Sequence, residues 1–140
     1  MNILKGKALL GIATVTDVAM HAEDRPTAAK AIASRLKLPP RHLETLLQAL
    51  VHDQILDGVR GPRGGYRLAR PADMISLGHV VRTALELAPP QAGFAATTDL
   101  VRTVVEPSIA AFSAEMLAKL DTTTIHGLVE KAKGLSLAAA

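Results

Sequence analysis

Apolar residues recur at helical spacing over most of the chain, and two short strand-like runs interrupt this pattern near the middle. The spacing predicts helices over residues 4–20, 28–36, 77–87, 99–120 and 123–133, a further helix that begins at Pro39-Pro40, and strands over residues 55–60 and 66–70. A turn rich in Gly and Pro separates the strands, which indicates a hairpin. We therefore expect a mainly α fold with a small β-hairpin.

The helix after Pro39-Pro40 has two clearly different faces. Its apolar stripe consists of Leu43, Leu46, Leu47 and Leu50. Its polar face carries Arg41, His42, Glu44, Thr45 and Gln48. Such a helix buries its leucines and presents hydrogen-bonding side chains to a partner, which is typical of a helix that reads base edges in DNA. Glu44 either accepts from the amino group of a cytosine or is a solvated glutamate that pairs with Arg41 or Gln48.

The helix over residues 28–36 comes immediately before this polar-faced helix, and only Lys37-Leu38 separates it from Pro39-Pro40. Thr27 is expected to cap its N-terminus, because a threonine hydroxyl accepts from the amide groups of a first helical turn. Two short helices joined by a tight link, the second with an exposed polar face, are typical of a helix-turn-helix.

The predicted hairpin carries arginines on both strands and at its tip, at Arg60, Arg63, Arg67 and Arg70. A basic hairpin directly after the second helix predicts a winged helix-turn-helix that binds DNA. The expected wing residues are Arg60, Arg63, Gly64, Gly65, Tyr66 and Arg67. Guanidinium groups suit the negative potential of a minor groove, and glycines let the hairpin tip approach a sugar-phosphate strand closely. Generic solubility is the competing explanation for the arginines.

The predicted helix over residues 99–120 has an apolar side too wide for a helix that only covers a small domain. Because helix-turn-helix proteins usually read two half-sites as two-fold dimers, we expect this helix to mediate dimerisation. The expected contact residues are Val101, Val105, Ile109, Phe112, Met116 and Leu120. The alternative is that the helix packs back on its own domain. Pro107 either kinks this helix or marks its start.

This pattern predicts a DNA-binding domain over residues 1–87, a loop over residues 88–98, and a dimerisation helix with a terminal helix over residues 99–140. Charge follows the same division. Residues 1–70 carry eleven Lys or Arg against six Asp or Glu, whereas residues 71–140 carry five against seven. Lys5, Lys7 and Thr27 occur where helix-turn-helix proteins contact phosphate, so we expect them to do so here.

Composition excludes several other functions. The chain has no cysteine, which excludes disulfides and cysteine-ligated clusters, and its two Phe and one Tyr leave little for stacking on unpaired bases. The histidines lack metal-ligand spacing and no catalytic constellation is recognisable, so we expect no metal, no cofactor and no enzymatic activity. The apolar N-terminal stretch imitates a signal peptide only faintly, because Asp17 follows closely, and we expect a cytoplasmic protein without a membrane span.

Two segments, PPRHLETLLQAL and VRGPRGGYRLARPADMISLGHVV, resemble the BadM/Rrf-two family of bacterial winged-helix transcription regulators. The resemblance covers residues 5–87, and TTTIHGLVEK is similar to the terminal helix of that family. It implies a homodimeric regulator that binds double-stranded DNA at a pseudo-palindromic operator, most often as a repressor. The family's base-reading positions fall on Arg41, His42, Glu44, Thr45 and Gln48, and its wing arginine falls on Arg60.

The chain departs from the family at two points. Leu10-Gly11 replaces a tyrosine-alanine pair, and PPQAGFAATTD stands where sensing members have three clustered cysteines. The resemblance therefore implies a branch without an iron-sulphur cluster, whose signal is open. Two alternatives remain: a winged-helix protein-interaction module that has lost its operator, and a regulator gated by a small molecule or partner protein bound near residues 88–99.

Overall fold

The structure is a computed structural model that describes residues 6–87 and 98–137. Its regular elements are α1 (Lys7–His21), α2 (Ala29–Leu36), α3 (Arg41–His52), β1 (Leu56–Val59), β2 (Gly65–Leu68), α4 (Leu77–Glu86), α5 (Glu106–Asp121) and α6 (Ile125–Gly134). A short 3₁₀ helix (Ala72–Met74) precedes α4, and a π-helical turn (Val101–Val105) precedes α5. The expected mainly α fold with one hairpin is confirmed. No helix within the two described ranges has the length and apolar character needed to cross a bilayer.

The leucine stripe of α3 lies at the centre of the core. Leu43, Leu46, Leu47 and Leu50 have no solvent-exposed surface. The same core contains Val15, Val18, Ile32, Ile55, Leu56, Val80, Ala84, Ile125 and Val129. Because α3 buries one whole face in this way, its opposite face is fixed in direction and points out of the protein.

Helices α1 and α4 pack closely at Gly11. A Cβ atom on Gly11 would lie 3.1 Å from the Cβ of Ala84 and 3.4 Å from Cγ1 of Val80. This glycine therefore lets the two helix backbones approach each other, which offsets its low helix propensity.

The hairpin is antiparallel, with Leu56 opposite Leu68 and Val59 opposite Gly65. A single residue before α2, Thr27, forms an isolated antiparallel β-bridge with Tyr66 of the hairpin. The amide of Thr27 donates to the carbonyl of Tyr66 at 2.9 Å, and the amide of Tyr66 donates to the carbonyl of Thr27 at 2.8 Å. The expected capping role of Thr27 is wrong, because α2 begins after Ala28 without a side-chain cap.

Ser76 caps α4, because its hydroxyl accepts from the amide of His79 at 3.1 Å. Thr124 caps α6 in the same way, accepting from the amide of Gly127 at 3.3 Å. The two capping residues form an isolated β-bridge with each other. The terminal helix α6 is thereby fastened to the start of α4, so it belongs to the same core as the helix-turn-helix although it follows residue 98.

Helical backbone runs from residue 99 to residue 121 and passes through Pro107. The amide of Glu106 donates to the carbonyl of Val101, which is the wide spacing of a π-helical turn. A proline ring inside a helix clashes with the carbonyl four residues earlier, and a wider turn relieves that crowding. Pro107 thus neither starts the helix nor ends it. The loop expected over residues 88–98 lies outside the described residues, apart from Thr98.

Candidate nucleic-acid interface

All five polar residues predicted on the recognition face are exposed. These are Arg41, His42, Glu44, Thr45 and Gln48. Four of them follow one another at helical positions i, i+3, i+4 and i+7, so they form one row along α3. The row combines a cation, an anion, a hydroxyl and an amide, which together can donate to and accept from base edges.

A carboxylate connects the C-terminal end of α3 to α4. Asp53, which directly follows α3, accepts from the hydroxyl of Thr83 on α4 at 2.6 Å and lies 3.1 Å from Nδ1 of His52. The hydrogen bond from Thr83, and then that from His52, lowers the pKa of Asp53 below its ordinary value of 3.8, and burial opposes them. The C-terminal end of α3 is therefore tied to α4 by an ionised acceptor.

The wing presents its cations to solvent. Arg60, Arg63 and Arg67 are exposed, whereas Gly64, Gly65 and Tyr66 are half-buried. Nε of Arg67 lies 3.9 Å from Oδ2 of Asp57 across the hairpin, and both side chains are more than half exposed. Such a pair contributes little to stability. Arg70 takes no part in this edge, because it is half-buried and its Nη2 lies 3.0 Å from Nδ1 of His79.

The wing glycines approach protein backbone. Gly65 has a φ of +155°, and a Cβ atom there would overlap the carbonyl oxygen of Thr27. A Cβ atom on Gly64 would overlap the carbonyl oxygen of Val59. The close approach that the sequence predicts toward a sugar-phosphate strand is therefore, in this structure, an approach to the hairpin itself and to the segment before α2.

An open cleft of about 660 Å³ separates α3 from the wing. Gln48 and Val51 form its α3 side, Arg60 and Tyr66 form its hairpin side, and Ala28 borders it at the start of α2. The N-terminus of a helix attracts phosphate through its amide groups. A groove with this lining suits a polyanionic backbone that passes between the recognition helix and the wing.

The three expected phosphate contacts have different outcomes. Lys7 is half-buried at the start of α1, and Lys5 lies outside the described residues. Thr27 is only 7% exposed, and its hydroxyl accepts from Nη2 of Arg35 at 2.8 Å. Because that hydroxyl is buried and already bonded within the protein, it is not available to contact a phosphate.

Sequence reasoning missed the ion pair behind Thr27. Arg35 on α2 donates to both carboxylate oxygens of Asp17 on α1, at 2.9 Å from Nε and 2.8 Å from Nη2. Asp17 is 7% exposed. A carboxylate between the apolar residues Val15 and Val18 of a predicted core helix was the available signal, because a buried carboxylate requires a cationic partner.

The predicted dimerisation residues fall into two groups. Val105, Ile109 and Phe112 are 44%, 58% and 64% exposed, so the first half of the long helix presents bare apolar surface. Val101, Met116 and Leu120 are half-buried. Leu120 packs against the core of its own chain, which means that the end of α5 covers the domain while its start does not.

The polar face of α3, the turn that joins it to α2 and the arginine-bearing hairpin define a winged helix-turn-helix protein. The sequence profile of the Rrf2 family, described as an iron-dependent transcriptional regulator, matches residues 4–131. The chain belongs to this family. The resemblance seen in the sequence is thereby confirmed, and the family is one described as transcriptional regulators.

Individual relatives agree with this assignment. A helix-turn-helix transcriptional regulator of Synechocystis is 40% identical over 83 residues, which are 59% of this chain and 56% of the relative. IscR of Photobacterium profundum is 35% identical over 78 residues, which are 56% of this chain and 45% of IscR. The matched stretch thus spans about half the length of these curated relatives.

Solved structures resemble the chain over almost its whole length. IscR of T. potens superimposes with a TM-score of 0.73 at 26% identity, covering 94% of this chain and 88% of IscR. The oxidised form of Staphylococcus aureus CymR gives a TM-score of 0.70 at 25% identity, covering 93% of this chain and 97% of CymR.

The family description implies iron, and the residues present do not fit a cysteine-ligated cluster. The chain contains no cysteine, and the described ranges contain no group of three or more His, Asp or Glu that could hold a metal ion. The effector site expected near residues 88–99 falls almost entirely on residues 88–97, which lie outside the described residues.

Proposed function

We propose that this protein is a sequence-specific regulator of transcription that binds double-stranded DNA as a homodimer. The observation that carries the proposal is the division of α3. Its leucine face is completely buried, and its opposite face exposes five hydrogen-bonding side chains beside a basic hairpin. An exposed helix of this kind fits the major groove of B-DNA, which is wide enough to admit it.

Within this proposal α3 reads base edges. Glu44 accepts from the amino group of a cytosine, and Arg41 and Gln48 donate to purines on the same row. Thr45 and His42 contact either base edges or phosphate. The wing arginines Arg60, Arg63 and Arg67 enter the flanking minor groove, where the potential attracts guanidinium groups.

The exposed apolar start of the long helix supports the dimer. Several large apolar side chains in a row are costly to leave in water, and a second copy of the same helix would cover them. Two recognition helices related by a two-fold axis read half-sites about one helical turn apart, so the operator is pseudo-palindromic. The family resemblance favours repression and a cytoplasmic location.

Selection of bound sites from random duplex DNA, followed by affinity measurements on single-base variants of the selected site, tests the proposal. Glu44→Ala should lose roughly 1–3 kcal/mol of discrimination at one base pair of each half-site. Glu86→Ala removes another exposed helical glutamate, on α4, and should leave discrimination unchanged. If Glu44→Ala discriminates as the unmodified protein does, Glu44 is not a reader. If no sequence is enriched at all, the result favours the alternative that the protein is a winged-helix protein-interaction module.

A further inference from the structure

The wing contacts the rest of the protein through both of its strands, and Tyr66 and Leu68 of β2 pack against the core. Leu56, at the start of β1, is buried in the core. Nearer the tip, Tyr66 exchanges two backbone hydrogen bonds with Thr27, at 2.9 and 2.8 Å. Gly65 packs so tightly on Thr27 that no side chain fits between them. The tip of the wing therefore follows the position of Thr27.

Thr27 is itself held by Arg35. Nη2 of Arg35 donates to the threonine hydroxyl at 2.8 Å and to Oδ2 of Asp17 at 2.8 Å, while Nε donates to Oδ1 of Asp17 at 2.9 Å. One guanidinium group thus joins α1, α2 and the segment beside the wing. A planar guanidinium can make this set of bonds at once, whereas a lysine ammonium acts as a point charge.

We propose that Arg35 is a positioning residue for DNA binding, which sets the angle of the wing relative to α3 through Thr27. The inference rests on the proposed function, but the position of the wing can also be measured without DNA. Arg35 is 26% exposed in its side chain and lies on α2, outside the predicted recognition face and wing. Its effect on DNA would therefore pass through the wing.

A second Arg–Asp ion pair provides a control, and its side chains are 47% and 41% exposed against 26% and 7% for Arg35 and Asp17. Arg82 on α4 donates to both carboxylate oxygens of Asp121 at the end of α5, at 2.5 and 2.9 Å. This pair also joins two helices through a guanidinium and a carboxylate, but neither residue contacts the segment beside the wing. Arg82→Lys therefore controls for the general loss of an Arg–Asp pair.

The first readout is the fluorescence of Tyr66, which is the only tyrosine in a chain without tryptophan. Tyr66 is half-buried beside Thr27, so a displaced wing exposes its ring to a soluble quencher such as acrylamide. Arg35→Lys and Thr27→Val should both increase the quenching constant. Arg82→Lys should not. If both Arg35→Lys and Thr27→Val leave the quenching constant unchanged, the inference is overturned whatever the protein does with DNA.

The second readout is a double-mutant cycle on the selected duplex. In the unmodified protein, Arg63→Ala should weaken binding and reduce the salt slope by roughly one for a lost phosphate contact. In the Arg35→Lys background, the fold-loss caused by Arg63→Ala should shrink by about twofold or more, because the wing is already displaced. In the Arg82→Lys background, the fold-loss caused by Arg63→Ala should be the same as in the unmodified protein.

The outcomes separate the two claims. Additive losses for Arg35→Lys and Arg63→Ala, in variants whose circular dichroism matches that of the unmodified protein, overturn the inference while DNA binding stands. Should Arg35→Lys not fold, Thr27→Val removes only the hydroxyl bond and takes its place in the cycle. An unmodified protein without any sequence preference overturns the proposed function, and Tyr66 quenching then decides alone whether Arg35 positions the wing.

Discussion

At Gly65 the chain has no room for a side chain. The residue has a φ of +155°, and a Cβ atom added to it would overlap the backbone of Thr27 and Ala28. Non-glycine residues rarely adopt this conformation, which costs of order 1–3 kcal/mol. Because Gly65 has a hydrogen atom where alanine has a methyl group, the hairpin can pack directly against the segment before α2.

We therefore predict that Gly65→Ala lowers the free energy of unfolding by roughly 1–3 kcal/mol or more, because strain and overlap act together. Urea denaturation followed by circular dichroism measures the change. Gly134→Ala is the matched control, since nothing lies within 4 Å of the added methyl at the end of α6. Equal stability of the two variants would contradict the described packing of the wing.

The stability that Asp53 contributes by connecting α3 to α4 depends on pH. The folded-state pKa of Asp53 is lowered below 3.8, first by the hydroxyl of Thr83 and then by His52. A group whose pKa is depressed by folding contributes stability above its unfolded pKa and loses it as the pH falls through the folded value. The contribution of Asp53 is therefore complete at neutral pH and decreases below about pH 3.8.

Asp53→Asn should be less stable than the unmodified protein at pH 7, and the difference should narrow as the pH falls below 3.8. Thr83→Val removes the hydrogen bond that lowers the pKa of Asp53 most. The stability of this variant should therefore also fall less steeply at acid pH than that of the unmodified protein. Chemical denaturation at a series of pH values gives both curves. Curves that stay parallel to that of the unmodified protein would show that Asp53 titrates alike in the folded and unfolded states.

The elements that could be predicted from sequence are those whose signals are local. The leucine stripe of α3 predicts its buried face because a period of 3.6 residues places those side chains on one side. Ser76 predicts its helix start because its hydroxyl reaches an amide only three residues away. Thr27 does not cap α2 as its position predicts, because its backbone pairs with Tyr66, which lies 39 positions later.

Contacts between distant segments account for the other differences. Arg35 and Asp17 are 18 residues apart, and no spacing in the sequence pairs them before the fold is known. Pro107 signals a kink or a helix start, yet the helix absorbs it in a π-helical turn whose wide spacing has no sequence signature. At the site, the direction of α3 follows from its leucines, whereas the position of the wing follows from Thr27 and Arg35.

At the scale of the whole molecule, the start of the long helix has no counterpart to cover it within the described residues. Ile109 and Phe112 are 58% and 64% exposed, while Leu120 near the end of the same helix packs on the core. A second copy of the chain would bury this surface, and the two α3 helices would then be held at a fixed distance.

Phe112→Glu should therefore shift the protein from dimer to monomer in light scattering after size-exclusion chromatography. Affinity for a full palindrome should fall by about a hundredfold or more, because linked binding of two half-sites is lost. Met74→Glu is a suitable control, since Met74 is also 64% exposed and is not part of the long helix. A Phe112→Glu protein that remains a dimer would place the interface elsewhere.

Protection of guanine N7 from methylation on the selected duplex tests the central claim most directly, because N7 lies in the major groove that α3 is proposed to occupy. We predict two protected patches about one helical turn apart, with weaker protection in the Glu44→Ala variant. Tight binding that leaves every guanine N7 as reactive as in bare DNA would contradict the account.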